Sequence, residues 1–333
     1  MKAQVLRSKA AVEERPLELT EVPVPEPGAK EVLVRVSACG VCHTELDEIE
    51  GRLQPKLPVV LGHEVVGTVE EQGPGASRFS TGDRVGVAWI YSACGRCRFC
   101  QQGLENLCPD FKGTGCDADG GYAEYVAVPE DYAYPIPDRF SDAEAAPLLC
   151  AGAIGFRDLR LSGIRPGQIL GLFGFGASAH IVLQVARHWG CEVFVFTRSE
   201  DHRRMAREMG AAWAGTAQET PPERVNCAID FTPVGETVPE ALRVLDKGGR
   251  LVMAVIRKRT LIPALDYARL LWDEKEVKSV ANITRKDAED FLPLAAQIPI
   301  VPWVQELKLE EANEALVLLK QGKIQGAAVL RMG

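Results

Sequence analysis

The chain has 333 residues, of which 46% are hydrophobic and 25% are charged, and its formal net charge is −8. This balance is typical of a globular protein, and the length exceeds the ~250–300 residues at which single cores divide, so we expect two domains. An acidic chain lacks the clustered basic surface of a nucleic-acid-binding protein, which favours a small-molecule substrate. No apolar signal segment and no stretch of about 18–20 apolar residues is present, so we expect a cytoplasmic protein without a membrane partner.

Two different sequence patterns follow each other along the chain. Residues 4–134 contain short β-rich runs, such as EVLVRVSA and VVGTVEEQG, which predict an all-β, barrel-like domain. Past a boundary near Cys150, strands alternate with helices, which predicts a doubly wound parallel sheet. We therefore expect an α/β protein with residues 1–150 and 285–333 in one domain and residues 151–284 in the other. The tail, which ends in the strand AAVLRM, is expected to fold back onto the first domain.

Four of the ten cysteines are closely spaced, in the pattern Cys-x2-Cys-x2-Cys-x7-Cys. Without a secretion signal they are not expected to form disulfides, and thiolates at this spacing can converge on one tetrahedral zinc ion. Such a site is closed, so we expect it to stabilise the fold and to take no part in chemistry. A redox Cys-x-x-Cys pair is the alternative, but it would not account for four thiols. The predicted ligands are Cys94, Cys97, Cys100 and Cys108.

A glycine-rich turn joins a predicted strand to a predicted helix in ILGLFGFGASAH. Gly174, Gly176 and Ala179 fit the Gly-x-Gly-x-x-Ala variant of the dinucleotide fingerprint. In that motif the glycines let the backbone approach a pyrophosphate at the N-terminus of the helix. The turn therefore predicts a nicotinamide dinucleotide cofactor.

The cofactor type is predicted from the residues that follow the next strand. NAD enzymes usually place a carboxylate there for the ribose hydroxyls, whereas this chain has Thr197, Arg198 and Ser199. No carboxylate repels a 2′-phosphate at these positions, and Arg198 could bind one. We therefore expect NADP(H) in preference to NAD(H), although Glu200 and Asp201 come directly afterwards.

Taken together, the motifs resemble one known family. The chain contains, in order, CGVCHTELDEIEGRL, LPVVLGHEVVGTVEEQG, GDRVGV, the four-cysteine segment, GGYAEYVAV and the glycine-rich turn. This series resembles the zinc-containing medium-chain dehydrogenase/reductases, and above all their alcohol dehydrogenases, over essentially the whole chain. The resemblance implies a GroES-like β-barrel catalytic domain with two zinc ions, a Rossmann domain that binds NAD(P)(H), and a homodimer or homotetramer. It also implies reversible hydride transfer between alcohols and aldehydes or ketones.

The resemblance implies that the second zinc site is open. Its ligands fall on Cys42, His63 and Cys150, two thiolates and one imidazole, which leaves a fourth position for an alcohol oxygen. Glu64 resembles the family's near-metal carboxylate, with a solvated charge at a strand end as the alternative. Glu45 resembles the residue that orients the zinc-bound histidine.

Further positions resemble the proton path and the pocket of the family. Thr44 resembles the hydroxyl that takes the alcohol proton, and His43 resembles a pyrophosphate contact. Asp47 stands where many relatives carry a relay histidine, so we expect it to orient a water instead. Trp89 resembles an aromatic residue that narrows the site for small primary alcohols, with an ordinary core tryptophan as the alternative.

Two positions depart from the family pattern. Ala327 stands where relatives usually carry an arginine for the pyrophosphate, and Ile154 replaces a hydroxyl residue near the nicotinamide. Isolated cysteines are usually buried or surface thiols, and the helical histidines of the second domain are expected to be structural or exposed. These residues are Cys39, Cys116, Cys191, Cys227, His180, His188 and His202.

Two other functions stay open. One is a polyol or aryl-aldehyde reductase of the same superfamily, which differs only in its substrate pocket. The other is a zinc-stabilised NADPH-binding protein without turnover. The complete open zinc site favours an enzyme, because a protein without turnover needs no exchangeable position on the ion.

Overall fold

A computed structural model describes all 333 residues and divides them into two compact units. Unit 1 comprises Met1–Cys150, Ile283–Ala296 and Val301–Gly333, and unit 2 comprises Ala151–Asn282 and Gln297–Ile300. Numbered along the chain, the strands are β1 (Lys2–Leu6), β2 (Leu17–Glu21), β3 (Glu31–Val41), β4 (Val59–Val60), β5 (Val65–Gln72), β6 (Arg84–Val87), β7 (Ile90–Ser92), β8 (Lys112–Gly113), β9 (Tyr125–Pro129), β10 (Ala133–Pro135), β11 (Ile169–Phe173), β12 (Glu192–Phe196), β13 (Trp213–Gly215), β14 (Val225–Asp230), β15 (Leu245–Met253), β16 (Glu276–Ser279), β17 (Val304–Lys308) and β18 (Ala327–Arg331). The α-helices are α1 (His43–Ile49), α2 (Asp142–Ala145), α3 (Ala151–Ser162), α4 (Ala177–His188), α5 (Glu200–Glu208), α6 (Thr237–Val244), α7 (Tyr267–Leu270), α8 (Arg285–Gln297) and α9 (Ala312–Lys320). None of these helices combines the length and the apolar character that a membrane span requires.

Unit 1 is built on a seven-stranded sheet. Its strand order is β10-β6-β5-β3-β18-β17, and β9 also pairs with β3. A three-stranded sheet, β2-β1-β4, and the two-stranded sheet β7-β8 complete the unit. The closing strand β18 pairs antiparallel with β3, with Leu330 opposite Cys39. The C-terminal strand therefore returns to the N-terminal β-rich part.

The long strand β3 lies at the centre of this sheet. Val32, Val34 and Val36 are almost completely buried, because they pack into the hydrophobic core of unit 1. β-Branched side chains favour such a strand, and burying each one contributes roughly 1.5–3 kcal/mol relative to exposure. Since β3 ends at Val41, the buried strand sets the position of Cys42, the next residue.

Unit 2 contains a six-stranded sheet in the order β13-β12-β11-β14-β15-β16, and every pair in it is parallel. This is the doubly wound order 3-2-1-4-5-6, which confirms the predicted α/β fold. The chain reverses direction across the sheet between β11 and β14. In such sheets ligands bind outside the carboxyl ends of the strands at that point.

Several short elements differ from the sequence-based expectation. The strands β13, β16 and β17 were not predicted, because they are three to five residues long and two of them are mostly polar. Helix α1 was not predicted inside the β-rich segment. The helix expected over VPEALRVLDKGG ends at Val244, because strand β15 begins at Leu245 and includes the glycine pair.

Candidate active site

The three predicted ligands of the open zinc site come together in unit 1 from three separate segments. Cys42 directly precedes α1, His63 lies between β4 and β5, and Cys150 follows a 3-10 helix. The Sγ atoms of Cys42 and Cys150 are 4.0 Å apart. These sulfurs, one ring nitrogen of His63 and one carboxylate oxygen of Glu64 all lie within 4.8 Å of one another. The arrangement can therefore hold a single metal ion.

Glu45 orients the ring of His63. The Nδ1 atom of His63 lies 2.6 Å from Oε1 of Glu45, and both side chains are buried. The other carboxylate oxygen, Oε2, accepts the backbone N–H of Cys42 at 2.9 Å. The second ring nitrogen of His63, Nε2, is buried and has no hydrogen-bond partner. Because buried polar atoms normally have a partner, Nε2 fits the role of a metal ligand.

The donor set and its electrostatics suit zinc. Hydrogen bonding to Cys150, together with His63, holds the pKa of the Cys42 thiol well below its usual value, although burial opposes this. The thiolate is the form that binds metal. Burial and the charge on Cys42 raise the pKa of Glu64 well above its usual value. Two sulfurs, one imidazole nitrogen and a nearby carboxylate are ligands that zinc accepts in proteins, so the residues present fit the ion.

Gly40 makes room for the Glu64 carboxylate. A Cβ atom at position 40 would lie 1.8 Å from Oε2 of Glu64 and 2.7 Å from its carboxylate carbon. The backbone N–H of Gly40 also donates to the carbonyl oxygen of Glu64 at 2.9 Å. Glu64 is therefore directed into the cluster by close packing against β3 and is not a solvated charge.

The four closely spaced cysteines also converge, between β7 and β8. Their sulfur atoms all lie within 4.8 Å of one another, with Cys97 and Cys100 3.6 Å apart. The backbone N–H of Cys94 donates to Sγ of Cys108, and that of Cys97 donates to Sγ of Cys94, both at 3.4 Å. The N–H groups of Arg96 and Cys97 lower the pKa of Cys94 to about 6. Four sulfurs at this separation suit a closed tetrahedral zinc site.

Trp89 connects the two clusters. Its ring packs edge-on against the ring of His63, with centroids 5.1 Å apart and an angle of 80°. On the other side it lies 6.2 Å from the ring of Phe111, which comes three residues after Cys108. Trp89 is half-buried, so it lies beside the open cluster and not in the main core.

The residues after Cys42 form the first turn of α1. Thr44 is buried, and its Oγ1 lies 3.6 Å from Sγ of Cys42. His43 is exposed. The hydroxyl of Thr44 is therefore beside a predicted metal ligand, where it can reach a group bound to the same ion.

Asp47 is held in an ion pair that sequence reasoning missed. Nε of Arg52 lies 3.1 Å from Oδ1 of Asp47. The backbone N–H groups of Arg52 and Leu53 donate to the carbonyl oxygen of Asp47 at 2.8 and 2.9 Å. Arg52 also pairs with Glu50. The only sequence signal was a basic residue five positions after Asp47, and the backbone return that joins the two could not be read from it.

The glycine-rich turn of unit 2 lies between β11 and α4. Gly174 has a φ of +87°, which favours glycine, and its N–H donates to the carbonyl oxygen of Phe196 at 2.8 Å. A Cβ atom at Gly176 would meet nothing within 4 Å, so the backbone there is open to close approach. Gly176 precedes α4 without a side-chain cap, and Ala179 is buried in the first turn. These features fit a pyrophosphate.

The loop after β12 lies at the same edge of the sheet. The N–H of Thr197 donates to the carbonyl oxygen of Gly215 at 2.8 Å. Ser199 caps α5, because its Oγ accepts the N–H of His202 at 3.3 Å. Arg198, between them, is exposed. Sequence analysis missed Arg203, whose guanidinium group contacts this loop.

The other positions singled out in the sequence lie away from both clusters or within packed elements. Ala327 is buried in β18, and Ile154 is half-buried in α3. Burial lowers the pKa of His180 to about 4, whereas His188 is exposed. The four isolated cysteines are all buried, and they are Cys39, Cys116, Cys191 and Cys227.

Comparison with known proteins identifies the family. The model of the alcohol dehydrogenase GroES-like domain matches residues 28–138, and the zinc-binding dehydrogenase model matches residues 179–297. The chain belongs to the zinc-dependent medium-chain alcohol dehydrogenases. As a member of this family it is an oxidoreductase that uses zinc and a nicotinamide cofactor and acts on a small-molecule substrate.

Individual relatives agree with this assignment. A probable alcohol dehydrogenase of Mycobacterium tuberculosis is 47% identical, over 99% of this chain and 97% of its own length. A crystal structure of an NAD-dependent alcohol dehydrogenase is similar with a TM-score of 0.90 and 28% identity, over 100% of both chains. A putative zinc-binding dehydrogenase of Sinorhizobium meliloti, bound to NADP, has a TM-score of 0.87 and 27% identity, over 99% of this chain and 98% of its own.

The two cysteine clusters should respond differently to substitution. Cys97→Ser should remove about one zinc ion per chain and lower the temperature of unfolding, because a closed tetrahedral site loses one of its ligands. Cys42→Ser should abolish turnover in a folded protein. Metal analysis, thermal unfolding and activity measure these effects. Cys227→Ser, at a buried cysteine outside both clusters, is the control and should keep both zinc ions. Loss of folding in Cys42→Ser with full activity in Cys97→Ser would overturn the assignment.

Proposed function

We propose that this alcohol dehydrogenase interconverts small alcohols with their aldehydes or ketones at a zinc ion held by Cys42, His63 and Cys150. The observation that carries the proposal is the convergence of the half-buried Cys42 and Cys150 on the buried His63, whose Nε2 has no hydrogen-bond partner. Zinc used only for stability would need the four-cysteine cluster alone. A further site with three nitrogen and sulfur ligands favours catalysis.

The residues around this site have distinct roles in the proposal. Zinc held there would supply a Lewis acid for the substrate oxygen, and a bound nicotinamide would supply the hydride acceptor or donor. Glu45 holds His63 in the tautomer that presents Nε2, and Glu64 stands beside the ligands as a near-metal carboxylate. Thr44 hydrogen-bonds the substrate hydroxyl and relays its proton, because its Oγ1 is buried next to Cys42. It accepts the substrate proton as it gives up its own hydroxyl proton towards the water near Asp47.

Three further residues near the ligands have roles in proton release, substrate selection and cofactor binding. Asp47, fixed by Arg52, orients the water that carries the proton away. Trp89 limits the pocket to small alcohols, because its ring stands directly against His63. His43 is exposed in the first turn of α1, so its imidazole is available to an anionic group of the cofactor.

In this proposal the two units have different functions. Unit 1 is the catalytic domain and holds two zinc ions, the second of them in the closed four-cysteine cluster. Unit 2 binds the nucleotide, with its pyrophosphate at Gly174, Gly176 and Ala179. In unit 2 the backbone of this turn and the N-terminus of α4 hold the pyrophosphate.

NADP(H) is the preferred cofactor in this proposal. The loop after β12 has no carboxylate, and the exposed Arg198 is available for a 2′-phosphate. Glu200, the acidic residue that directly follows the loop, is paired with Arg203 three residues later. Among the similar structures one is described as NAD-dependent and another as bound to NADP, so the argument rests on the loop itself.

The sheet edge of unit 2 supports a homodimer or a homotetramer. All four residues of β16, the edge strand, are exposed. Tyr267 and Trp272, just before it, are 61% and 67% exposed. An exposed edge strand beside large apolar side chains favours pairing with another chain, and a second copy of this chain has the same edge to offer.

Thr44→Val should lower kcat for alcohol oxidation by about 10²–10⁴-fold while zinc content stays unchanged, because the side chain keeps its shape but loses the hydroxyl. Thr81→Val, at an exposed position, should leave kcat within about twofold. Absorbance at 340 nm with small alcohols and aldehydes, polyols and aryl aldehydes measures both variants. Unchanged kcat in Thr44→Val would contradict its role. A zinc-loaded wild type without turnover on any of these substrates would contradict the function.

The wild-type enzyme should have a kcat/KM for NADP at least about tenfold above that for NAD, since one charge-assisted hydrogen bond contributes ~1.5–3 kcal/mol. Arg198→Ala should remove most of this difference by raising the KM for NADP alone. Steady-state kinetics with both cofactors at saturating alcohol measures the ratio. A clear preference for NAD in the wild type would contradict the cofactor assignment.

Light scattering after size exclusion should give a mass at least twice the 36.3 kDa of one chain. Trp272→Asp should shift the mass towards that of one chain, because it places a charge at the exposed apolar edge. Leu19→Asp, at an exposed position on β2 of unit 1, is the control and should not change the mass. A wild-type mass of one chain would contradict the proposed oligomer.

A further inference from the structure

Arg203 of α5 lies against the loop that leaves β12. Its Nη1 atom donates to the carbonyl oxygens of Thr197 at 2.8 Å and of Arg198 at 2.9 Å. The Arg203 side chain is only 15% exposed, whereas that of Arg204 is 63% exposed. Arg203 is therefore packed against the loop that the proposed function assigns to the ribose 2′-phosphate.

The two contacts determine which groups of the loop face a ligand. Carbonyl oxygens carry partial negative charge and repel a phosphate, whereas N–H groups and cations attract it. Because one guanidinium binds two successive carbonyl groups, both are turned towards α5. A planar guanidinium with several N–H donors can hold two acceptors at once, which a lysine ammonium does with less directional control.

Arg203 also compensates the acidic residue nearest the loop. Its Nη2 atom pairs with Oε2 of Glu200, and Nη1 of Arg207 lies 3.9 Å from Oε1 of the same carboxylate. Glu200 is 68% exposed, so this pair contributes little to the stability of the fold. Its effect is on the local charge, because an unpaired Glu200 would repel a phosphate group at the loop.

The loop is also joined to the glycine-rich turn. The ring of His202, in α5, lies 6.5 Å from the ring of Phe175. Phe175 is the residue between the two glycines of the turn. The N–H of Gly174 donates to the carbonyl oxygen of Phe196, the last residue of β12. A change in the position of the loop therefore reaches the nucleotide site of unit 2 and not only the surface.

We propose that Arg203 is a positioning residue for NADP(H) selection: it turns the carbonyl groups of Thr197 and Arg198 away from the ligand and neutralises Glu200. Arg198 and Ser199 then contact the 2′-phosphate. This inference rests on the proposed function, which assigns the 2′-phosphate to this loop. This role differs from a simple charge effect, because it depends on the hydrogen bonds from Arg203 to two carbonyl groups and not only on one more positive charge.

The test uses the full-length protein and two nucleotide probes, 2′,5′-ADP and 5′-AMP, in calorimetric titrations. The wild type should bind 2′,5′-ADP at least about tenfold more tightly than 5′-AMP. Arg203→Met should weaken 2′,5′-ADP about tenfold and 5′-AMP less than about threefold. Arg203→Lys should bind 2′,5′-ADP with an affinity between those of the wild type and Arg203→Met. It keeps the positive charge but lacks the planar guanidinium group with its several N–H donors. Arg204→Met, which removes an equal charge from the same helix, should match the wild type.

Steady-state kinetics gives a second readout. In Arg203→Met the ratio of kcat/KM for NADP to that for NAD should fall about tenfold through the KM for NADP, with kcat for NAD unchanged. Equal losses for both cofactors, or equal losses in Arg203→Met and Arg204→Met, would overturn the proposal. If Arg203→Met does not fold, Arg203→Lys decides by the same criteria.

The outcomes separate this proposal from the one on which it depends. A wild type that binds 2′,5′-ADP and 5′-AMP alike contradicts the proposed cofactor, and the role of Arg203 fails with it. If the wild type prefers 2′,5′-ADP over 5′-AMP and Arg203→Met keeps the same preference, only the role of Arg203 is contradicted. NADP(H) then stays the proposed cofactor.

Discussion

The buried hydrogen bond between Glu45 and His63 is the interaction on which the open zinc site depends. A carboxylate is costly to bury unless hydrogen bonds compensate it, and both oxygens of Glu45 have a partner, Nδ1 of His63 and the N–H of Cys42. One side chain thereby joins two of the three ligands and determines the tautomer of the histidine. The fold of unit 1 thereby positions Cys42 and His63 relative to each other through one carboxylate.

The same region accumulates negative charge. Glu45, Glu48 and Glu64 are all buried, close to Cys42 and Cys150. Burial together with the charge of Glu45 raises the pKa of Glu48 well above its usual value, and Glu64 is affected in the same direction. Carboxylates and thiolates crowded in a poorly solvated space are stabilised by a divalent cation, which offsets their mutual repulsion. Metal binding and stability of unit 1 are therefore expected to be coupled, because without a cation these groups must either repel one another as anions or take up protons.

The sequence predicted local patterns well and distant contacts only through resemblance. The spacing of Cys94, Cys97 and Cys100 is itself a zinc motif, and the alternation of strands and helices was enough to predict the parallel sheet. Cys42, His63 and Cys150 lie on separate segments, so no spacing could join them, and the family resemblance was needed. The strand β13 was missed because it has only three residues, and β16 and β17 were missed because they are short and mostly polar, without apolar alternation. The pairing of Asp47 with Arg52 was missed because it depends on a turn that reverses the chain, and a turn produces no periodic sequence pattern. The pairing of Glu200 with Arg203 was missed for a similar reason, since an arginine that binds backbone carbonyl groups produces no such pattern either.

The closed and open clusters are physically connected, which explains why a site without catalytic chemistry belongs beside one that has it. Trp89 contacts the ring of His63 on one side and lies near Phe111, just after the last cysteine of the closed cluster, on the other. The carbonyl oxygen of Trp89 also accepts the N–H of Thr114 at 2.8 Å, at the end of the same segment. A zinc ion that orders this segment thus also restrains Trp89, and through it the face of His63. In the proposed function, the closed cluster therefore stiffens the wall of the active site, and the open cluster carries out the chemistry.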